Sequence, residues 1–208
     1  MLPFFILQTM NLFSSNPISL NLPNADIVYF PDFYSIKDSH KIFKNLRTEI
    51  PWQQDDITVF GKKYQQPRLT SLFGNAGKPY SYSNITMQPH QWTAELLAIK
   101  NKVELACKAE FSTVLLNLYR DGKDSNGWHA DDEKELGKNP IIASLCFGAE
   151  RFFYLKHKYD PSLKHKLLLQ NGSLLLMQGE TQHFWKHQIA KTAKPIQPRI
   201  NLTFRILK

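Results

Sequence analysis

Arg199-Ile200-Asn201-Leu202-Thr203-Phe204-Arg205 alternates without a break. Arg199, Asn201, Thr203 and Arg205 fall on one face of an extended chain, and Ile200, Leu202, Phe204 and the following Ile206 fall on the other. The apolar face must pack on a core, and the polar face must look into a cavity or into water. At ~3.3 Å per residue the two arginines start roughly 20 Å apart, so guanidinium arms leaning inward could grip opposite ends of one small diacid. A second strand, Val114 to Tyr119, repeats the device: Asn117 and Tyr119 share one face while Val114, Leu116 and Leu118 share the other. It runs into the turn-rich loop Arg120-Asp121-Gly122-Lys123-Asp124 and then into Trp128-His129-Ala130-Asp131.

His129 and Asp131 are an i, i+2 pair, so on an extended segment both side chains leave the same face and converge on one point. Two imidazoles and one carboxylate are the set that occupies one face of an octahedral iron and leaves the opposite positions open. The third ligand must come from elsewhere. His187 is preferred because Trp185 and Ile189 flank it at period two, and a strand would bury the three together; His183 is the alternative.

The run Asn117-Leu118-Tyr119-Arg120-Asp121-Gly122, His129-Ala130-Asp131-Asp132-Glu133, Gly172-Ser173-Leu174-Leu175, His187 and Arg199 to Arg205 resembles the AlkB-type iron(II)/2-oxoglutarate dioxygenases, and most of all their double-strand-acting DNA repair branch. The likeness runs in order from about Val59 to Arg205. It implies that His129, Asp131 and His187 bind iron(II). Asn117, Tyr119, Arg199, Asn201, Thr203 and Arg205 would hold 2-oxoglutarate, with Arg199 on the distal carboxylate and Arg205 nearer the metal. The reaction implied consumes O2 and 2-oxoglutarate, hydroxylates an N-methyl group, and releases formaldehyde, succinate, CO2 and the unmodified base; the cofactor carries the hard step.

The same likeness places Tyr80 and Tyr82, an i, i+2 pair, with Ser83 in the pocket for an extruded base. Bases methylated on a Watson–Crick ring nitrogen, such as 1-methyladenine and 3-methylcytosine, are cationic near neutral pH. An aromatic slot with Glu133 at its rim suits such a cation. Val59-Phe60-Gly61-Lys62 matches a hairpin tip used as a wedge, with Phe60 at the apex and Gly61 at the turn. Arg68 joins Lys62 among the substrate contacts.

The chain has 208 residues and a formal net charge of +8, and its pI is 9.4. The length suits one domain, and the charge suits a polyanion, because lysines that neutralise phosphates release counterions. Lys62, Lys63, Arg68, Lys78, Lys156, Lys158, Lys164, Lys166 and Lys194 supply such contacts. Alkylated DNA or RNA is the expected partner, and a monomer the expected state. Cys107 and Cys146 have no disulfide framework or metal-ligand spacing and fit a reducing compartment, hence the cytoplasm, or the nucleoid of a bacterium. Residues 1–25 carry no charge, and the apolar run from Leu2 to Leu7 is too short to span a bilayer and lacks a basic leader; no membrane segment is expected.

The coarse organisation is an α+β double-stranded β-helix, the jelly-roll or cupin-like fold, with helices on one side. An uncharged appendage covers 1–25 and the dioxygenase domain 26–208, with substrate recognition at about 55–90 and the catalytic core at about 111–208. Ser35 followed by Asp38 opens a helix that runs to Glu49 and stops at Pro51. Trp92, Leu96, Ile99, Val103 and Ala106 mark a second helix. Strands are expected at Thr113 to Tyr119, Ile141 to Phe147, Phe152 to Lys156, Lys166 to Gln170, Ser173 to Gln178, Trp185 to Ile189 and Ile200 to Ile206, with Asn171-Gly172 as a two-residue hairpin turn. Besides the demethylase, three readings remain: a 2-oxoglutarate hydroxylase of a protein or small molecule, a non-enzymatic nucleic-acid module, and a zinc hydrolase. The last gives two diacid-gripping arginines no task.

Overall fold

Polar turns join the alternating strands into two antiparallel sheets in the computed structural model, which describes residues 15–59, 62–75, 80–82 and 85–208. In chain order the elements are β1 (Ile18–Ser19), β2 (Asp26–Phe30), α1 (Ile36–Glu49), β3 (Asp56–Val59), β4 (Lys62–Gln65), β5 (Leu69–Gly74), β6 (Tyr80–Tyr82), β7 (Ile85–Met87) and α2 (Ala94–Cys107). Then follow β8 (Thr113–Tyr119), β9 (Asn126–His129), β10 (Ile142–Gly148), β11 (Arg151–His157), β12 (Lys164–Leu169), β13 (Leu174–Gln178), α3 (Thr181–Phe184), β14 (Trp185–Ile189) and β15 (Arg199–Arg205). The larger sheet runs β1-β2-β13-β10-β15-β8-β5 and the smaller β12-β11-β14-β9, while β3-β4 and β6-β7 are separate two-stranded pairs. This is the expected double-stranded β-helix, with α1 and α2 against one face of the larger sheet.

The helices form where the sequence stops and starts them. Ser35 caps α1 by accepting the Asp38 amide at 3.1 Å, and Ile50, just before Pro51, closes it. Thr93 caps α2 through the Leu96 amide at 3.2 Å, so the helix begins after Trp92. Its buried face is Leu96, Ile99, Val103 and Cys107; Trp92 and Ala106 pack against the same cluster, and the Trp92 indole donates to Asn75 Oδ1 at 3.0 Å. That face, with Leu46 and Ile50 of α1, packs on Leu116, Leu145, Ile200, Leu202 and Phe204. A second apolar cluster lies between the sheets, where Leu115, Leu175 and Met177 meet Phe153, Leu155, Trp185 and Ile189.

Two expectations need correction. Asn171-Gly172 does not close a hairpin, because β12 pairs with β11 in the smaller sheet while β13 pairs with β10 and β2 in the larger. The turn carries the chain from one sheet to the other. Asn-Gly chemistry reports a backbone at positive φ, here +77° at Gly172, and says nothing about which strands pair. Nor does the fold begin at residue 26: β1 pairs with β2, Leu20, Leu22 and Ala25 pack on the inter-sheet cluster, and the Trp185 indole donates to the Pro23 carbonyl at 2.8 Å. Residues 1–14 of the expected appendage lie outside the described residues.

Candidate active site

All seven residues of β15 are buried, so its polar face looks into the space between the sheets rather than into water. Arg199, Asn201, Thr203 and Arg205 line one cavity together with Tyr119, His129, Asp131 and His187. Register produces this convergence: Arg199 pairs with Tyr119 on β8, and His187 on β14 pairs with His129 on β9. His187 is buried with Trp185 and Ile189 on alternate positions of β14.

His129, Asp131 and His187 each offer a ligand atom within 4.8 Å of the others. The imidazole centroids are 4.2 Å apart, and His187 Nε2 lies 3.7 Å from Asp131 Oδ2. Phe153 stacks on the His187 ring at 5.0 Å. His183 is elsewhere, with its Nε2 2.9 Å from Asn139 Oδ1. The convergence of His129 and Asp131 does not come from a shared strand face, because β9 ends at His129 and Asp131 sits on the bend beyond it. Gln182 Oε1 accepts the Asp131 amide at 2.9 Å, and Arg205 Nη2 donates to Asp131 Oδ1 at 2.6 Å; these two contacts turn the carboxylate inward.

Electrostatics suit a cation here. Burial alone would raise Asp131, but Arg205 and the two histidines outweigh it and hold the carboxyl below the usual range. Burial lowers His129 and, with the neighbouring His129, pushes His187 down to about 3. Both imidazoles are therefore neutral and the carboxylate ionised, the protonation states that metal ligation needs.

Farther along β15, Arg199 is 2% exposed. Its Nη2 donates to Cys146 Sγ at 2.8 Å, its guanidinium carbon lies 5.1 Å from the Tyr119 ring centroid, and its Nε and Nη1 have no hydrogen-bond partner among the described residues. A buried guanidinium with two unsatisfied donors is costly unless an anion meets it. Asn201 Nδ2 donates to Ser144 Oγ at 2.8 Å, and Thr203 Oγ1 donates to Asn201 Oδ1 at 2.9 Å, so the middle of the polar face is already cross-linked.

Residues 26–205 match the 2OG-Fe(II) oxygenase superfamily. The chain belongs to that superfamily. Within it the protein is AlkB-like. It is 43% identical over 189 residues to the Alpha-ketoglutarate-dependent dioxygenase alkB homolog 3 of Bos taurus, covering 84% of this chain and 64% of that protein. It is 37% identical over 178 residues to the DNA oxidative demethylase ALKBH2 of Homo sapiens, covering 81% and 68%. The chain thus spans less than two thirds of the bovine relative's length. The solved structure of OsALKBH1 shares the fold at a TM-score of 0.68 and 16% identity, covering 92% of this chain and all of that one. Membership implies iron(II), 2-oxoglutarate and O2. The donor set of two neutral imidazoles and one carboxylate fits the first, and the unsatisfied guanidinium of Arg199 fits a carboxylate of the second.

Not every expected site residue reaches this cavity. Asn117 is on the same sheet face, paired with the cavity residue Asn201, but is not among the lining residues; its Oδ1 accepts Arg68 Nε at 2.7 Å. Arg68 is not a surface phosphate contact: it is 3% exposed and its Nη1 donates to the Ser125 carbonyl at 3.2 Å, so it braces the wall and adds positive potential near His129. Glu133 is half-buried at the start of a 3-10 turn, Lys134–Leu136, and is not among the cavity residues. The backbone of β4 carries Lys62, and that of β6 carries Tyr80 and Tyr82. Their side chains, and Phe60, Gly61 and Ser83 entirely, lie outside the described residues.

The structure also adds residues that the motifs did not single out. Ser144, Phe153, Leu169 and Met177 line the cavity, Cys146 holds Arg199, and Gln182 holds Asp131. Ser144 left one signal, a polar position within the apolar run Ile142 to Phe147. Gln182 left none, because its contact spans 51 residues.

Proposed function

We propose that this protein demethylates N-alkylated bases of nucleic acid, of the 1-methyladenine and 3-methylcytosine type, with DNA as the substrate. The observation that carries the reading is one cavity holding the His129–Asp131–His187 cluster at one end and the buried, unsatisfied Arg199 guanidinium at the other. The names of its relatives, a DNA oxidative demethylase among them, point to the substrate. Bound iron would supply the oxidation of the N-methyl carbon by O2, coupled to conversion of 2-oxoglutarate to succinate and CO2.

The chain's own groups do the positioning. His129, Asp131 and His187 would hold the metal on one side and leave positions open on the other. Arg199 would receive the distal carboxylate in a bidentate grip, which fixes the length of the co-substrate. Arg205 neutralises Asp131 and fixes its direction. Tyr119 covers the Arg199 guanidinium on one side and helps keep water from it. We assign Tyr80, Tyr82, Ser83 and Glu133 to the flipped cationic base, and Phe60, Gly61 and Lys62 to the duplex at the site of flipping. We infer a monomer that acts in the cytoplasm; Cys107 and Cys146 are free and buried, as suits a reducing compartment. No helix among the described residues is long and apolar enough to cross a membrane.

The test is turnover. Protein supplied with iron(II), 2-oxoglutarate and an oligonucleotide containing 1-methyladenine should release formaldehyde and succinate in equal amounts. Succinate release that is indifferent to the methylated base, together with stimulation by a protein or small molecule, would move the enzyme to another substrate class.

A further inference from the structure

Trp128 and His129 are consecutive residues on opposite faces of β9. His129 faces the inter-sheet cavity, whereas Trp128 lines a separate groove of about 850 Å³ on the outer face of the smaller sheet. In that sheet β9 is the edge strand, so only one strand's width separates the cavity residue His129 from the Trp128 ring. The groove carries Lys156, Lys158, Lys164, Lys166 and Lys186, with no carboxylate among its described lining residues. Strand register sets these charges side by side: Lys156 pairs with Lys164 on β12 and with Lys186 on β14. Among the described residues Lys158 alone of these has an acidic partner, Asp132 Oδ2 at 2.8 Å.

Aromatic rings interleave with the charges. Lys156 Nζ lies 4.3 Å from the Trp128 ring centroid, and Lys166 Nζ lies 3.6 Å from that of Phe152 and 5.7 Å from that of Tyr154. Trp128 keeps 38% of its surface exposed and Phe152 keeps 42%. These rings are exposed beside cationic side chains, and lysines set side by side with Asp132 as the one acidic partner among the described residues repel one another unless a polyanion lies among them.

We propose that this outer face is a docking track for single-stranded nucleic acid, in which Trp128 stacks a base that flanks the target while the lysines follow its phosphates. The inference rests on the nucleic-acid reading of the catalytic site. A strand leaving the cavity around β9 meets Trp128 first, and the lysines of β14, β11 and β12 continue the path across the sheet. Unpaired bases offer π-faces to a ring, and base–aromatic stacking with a positive groove is the recurrent means of holding a strand without reading its sequence. A duplex keeps its bases stacked on one another and offers this surface phosphates only.

The experiment measures fluorescence anisotropy of a short labelled oligothymidylate, and of a blunt duplex of equal length, with full-length protein at several salt concentrations. Trp128→Ala should weaken single-strand binding about tenfold, within the range stacking of one base provides, and Trp128→Phe should restore most of it. The duplex should be affected far less by either. A second variant, Lys164→Glu with Lys186→Glu, should weaken single-strand binding and flatten its salt dependence, and it does not depend on how Trp128→Ala folds. Unchanged single-strand affinity in both variants, or equal loss on duplex and single strand in Trp128→Ala, overturns the track. Absence of formaldehyde release from methylated DNA by the wild type would instead strike the demethylase reading, so the two failures are told apart.

Discussion

Arg205 and Asp131 form a salt bridge at 2.6 Å with both side chains almost wholly buried, joining the last residue of β15 to the carboxylate of the His129–Asp131–His187 cluster. Removing one partner from a buried pair leaves a bare charge, which costs about 3–5 kcal/mol. Arg205→Met should therefore lower the melting temperature of the metal-free protein markedly. A divalent cation should recover part of the loss, because it meets the stranded Asp131 carboxylate. A melting temperature equal to that of the wild type would mean the pair is not formed in solution.

Asp131→Ala removes the one negative group of the cluster, so iron retention and formaldehyde release should both collapse; because it also strands the buried Arg205 charge, the melting temperature should fall while circular dichroism below it stays native. His187→Ala should behave likewise and His183→Ala should not, since His183 is held by Asn139. Retention of iron by His187→Ala together with loss in His183→Ala would exchange the two histidines.

Arg199→Lys keeps the charge but loses the planar guanidinium, whose Nε and Nη1 have no hydrogen-bond partner among the described residues. The apparent affinity for 2-oxoglutarate should fall by about 1.5–3 kcal/mol, the value of a charge-assisted hydrogen bond, with metal affinity nearly unchanged. Titration of succinate release against 2-oxoglutarate reads it.

Phe60 falls between β3 and β4, whose pairing ends at Val59 and Lys62. If it is the wedge, Phe60→Ala should cut repair of methylated duplex strongly and leave single-stranded repair mostly intact, because an unpaired base needs little help to flip. Equal rates of loss on the two substrates would remove the wedge.

Asp124 closes the loop that delivers His129, accepting the Arg120 amide and Nε at 2.8 Å each and Nη2 at 2.9 Å. Burial opposes its ionisation, but the bonds from Arg120 outweigh burial and lower its pKa. A carboxylate depressed in the folded state contributes stability that is complete above its unfolded pKa near ~3.9 and drains away as pH falls through the folded value. Asp124→Asn should therefore be less stable than wild type at neutral pH, and the gap in melting temperature should narrow in acid below ~3.9. A gap that widened in acid would contradict the assignment.

Much of the site was legible because it obeys strand periodicity. Arg199, Asn201, Thr203 and Arg205 announce a shared face, and Trp185, His187 and Ile189 announce another; β14 has the expected bounds. Where local pattern is silent, the reading stopped. Asn171-Gly172 displayed its backbone geometry but not its pairing, which is a long-range property. Arg68 read as a surface cation because its partners, Asn117 and Ser125, lie 49 and 57 residues away. Gln182 and Cys146 are ordinary residues in sequence and acquire a role only when the sheets close. Asp131 converged with His129 as expected, but through long-range hydrogen bonds rather than strand geometry.

The burial of both faces of β15 makes its length indivisible. Ile200, Leu202 and Phe204 belong to the layer under the helices, while Arg199, Asn201, Thr203 and Arg205 belong to the cavity. Deleting one residue inside it would exchange the two sets, presenting guanidinium groups to the helices and hydrocarbon to the metal. Substitution can adjust either face separately, whereas insertion or deletion destroys both at once. Sequence change along these seven residues is thus confined to substitution, with the frame itself held.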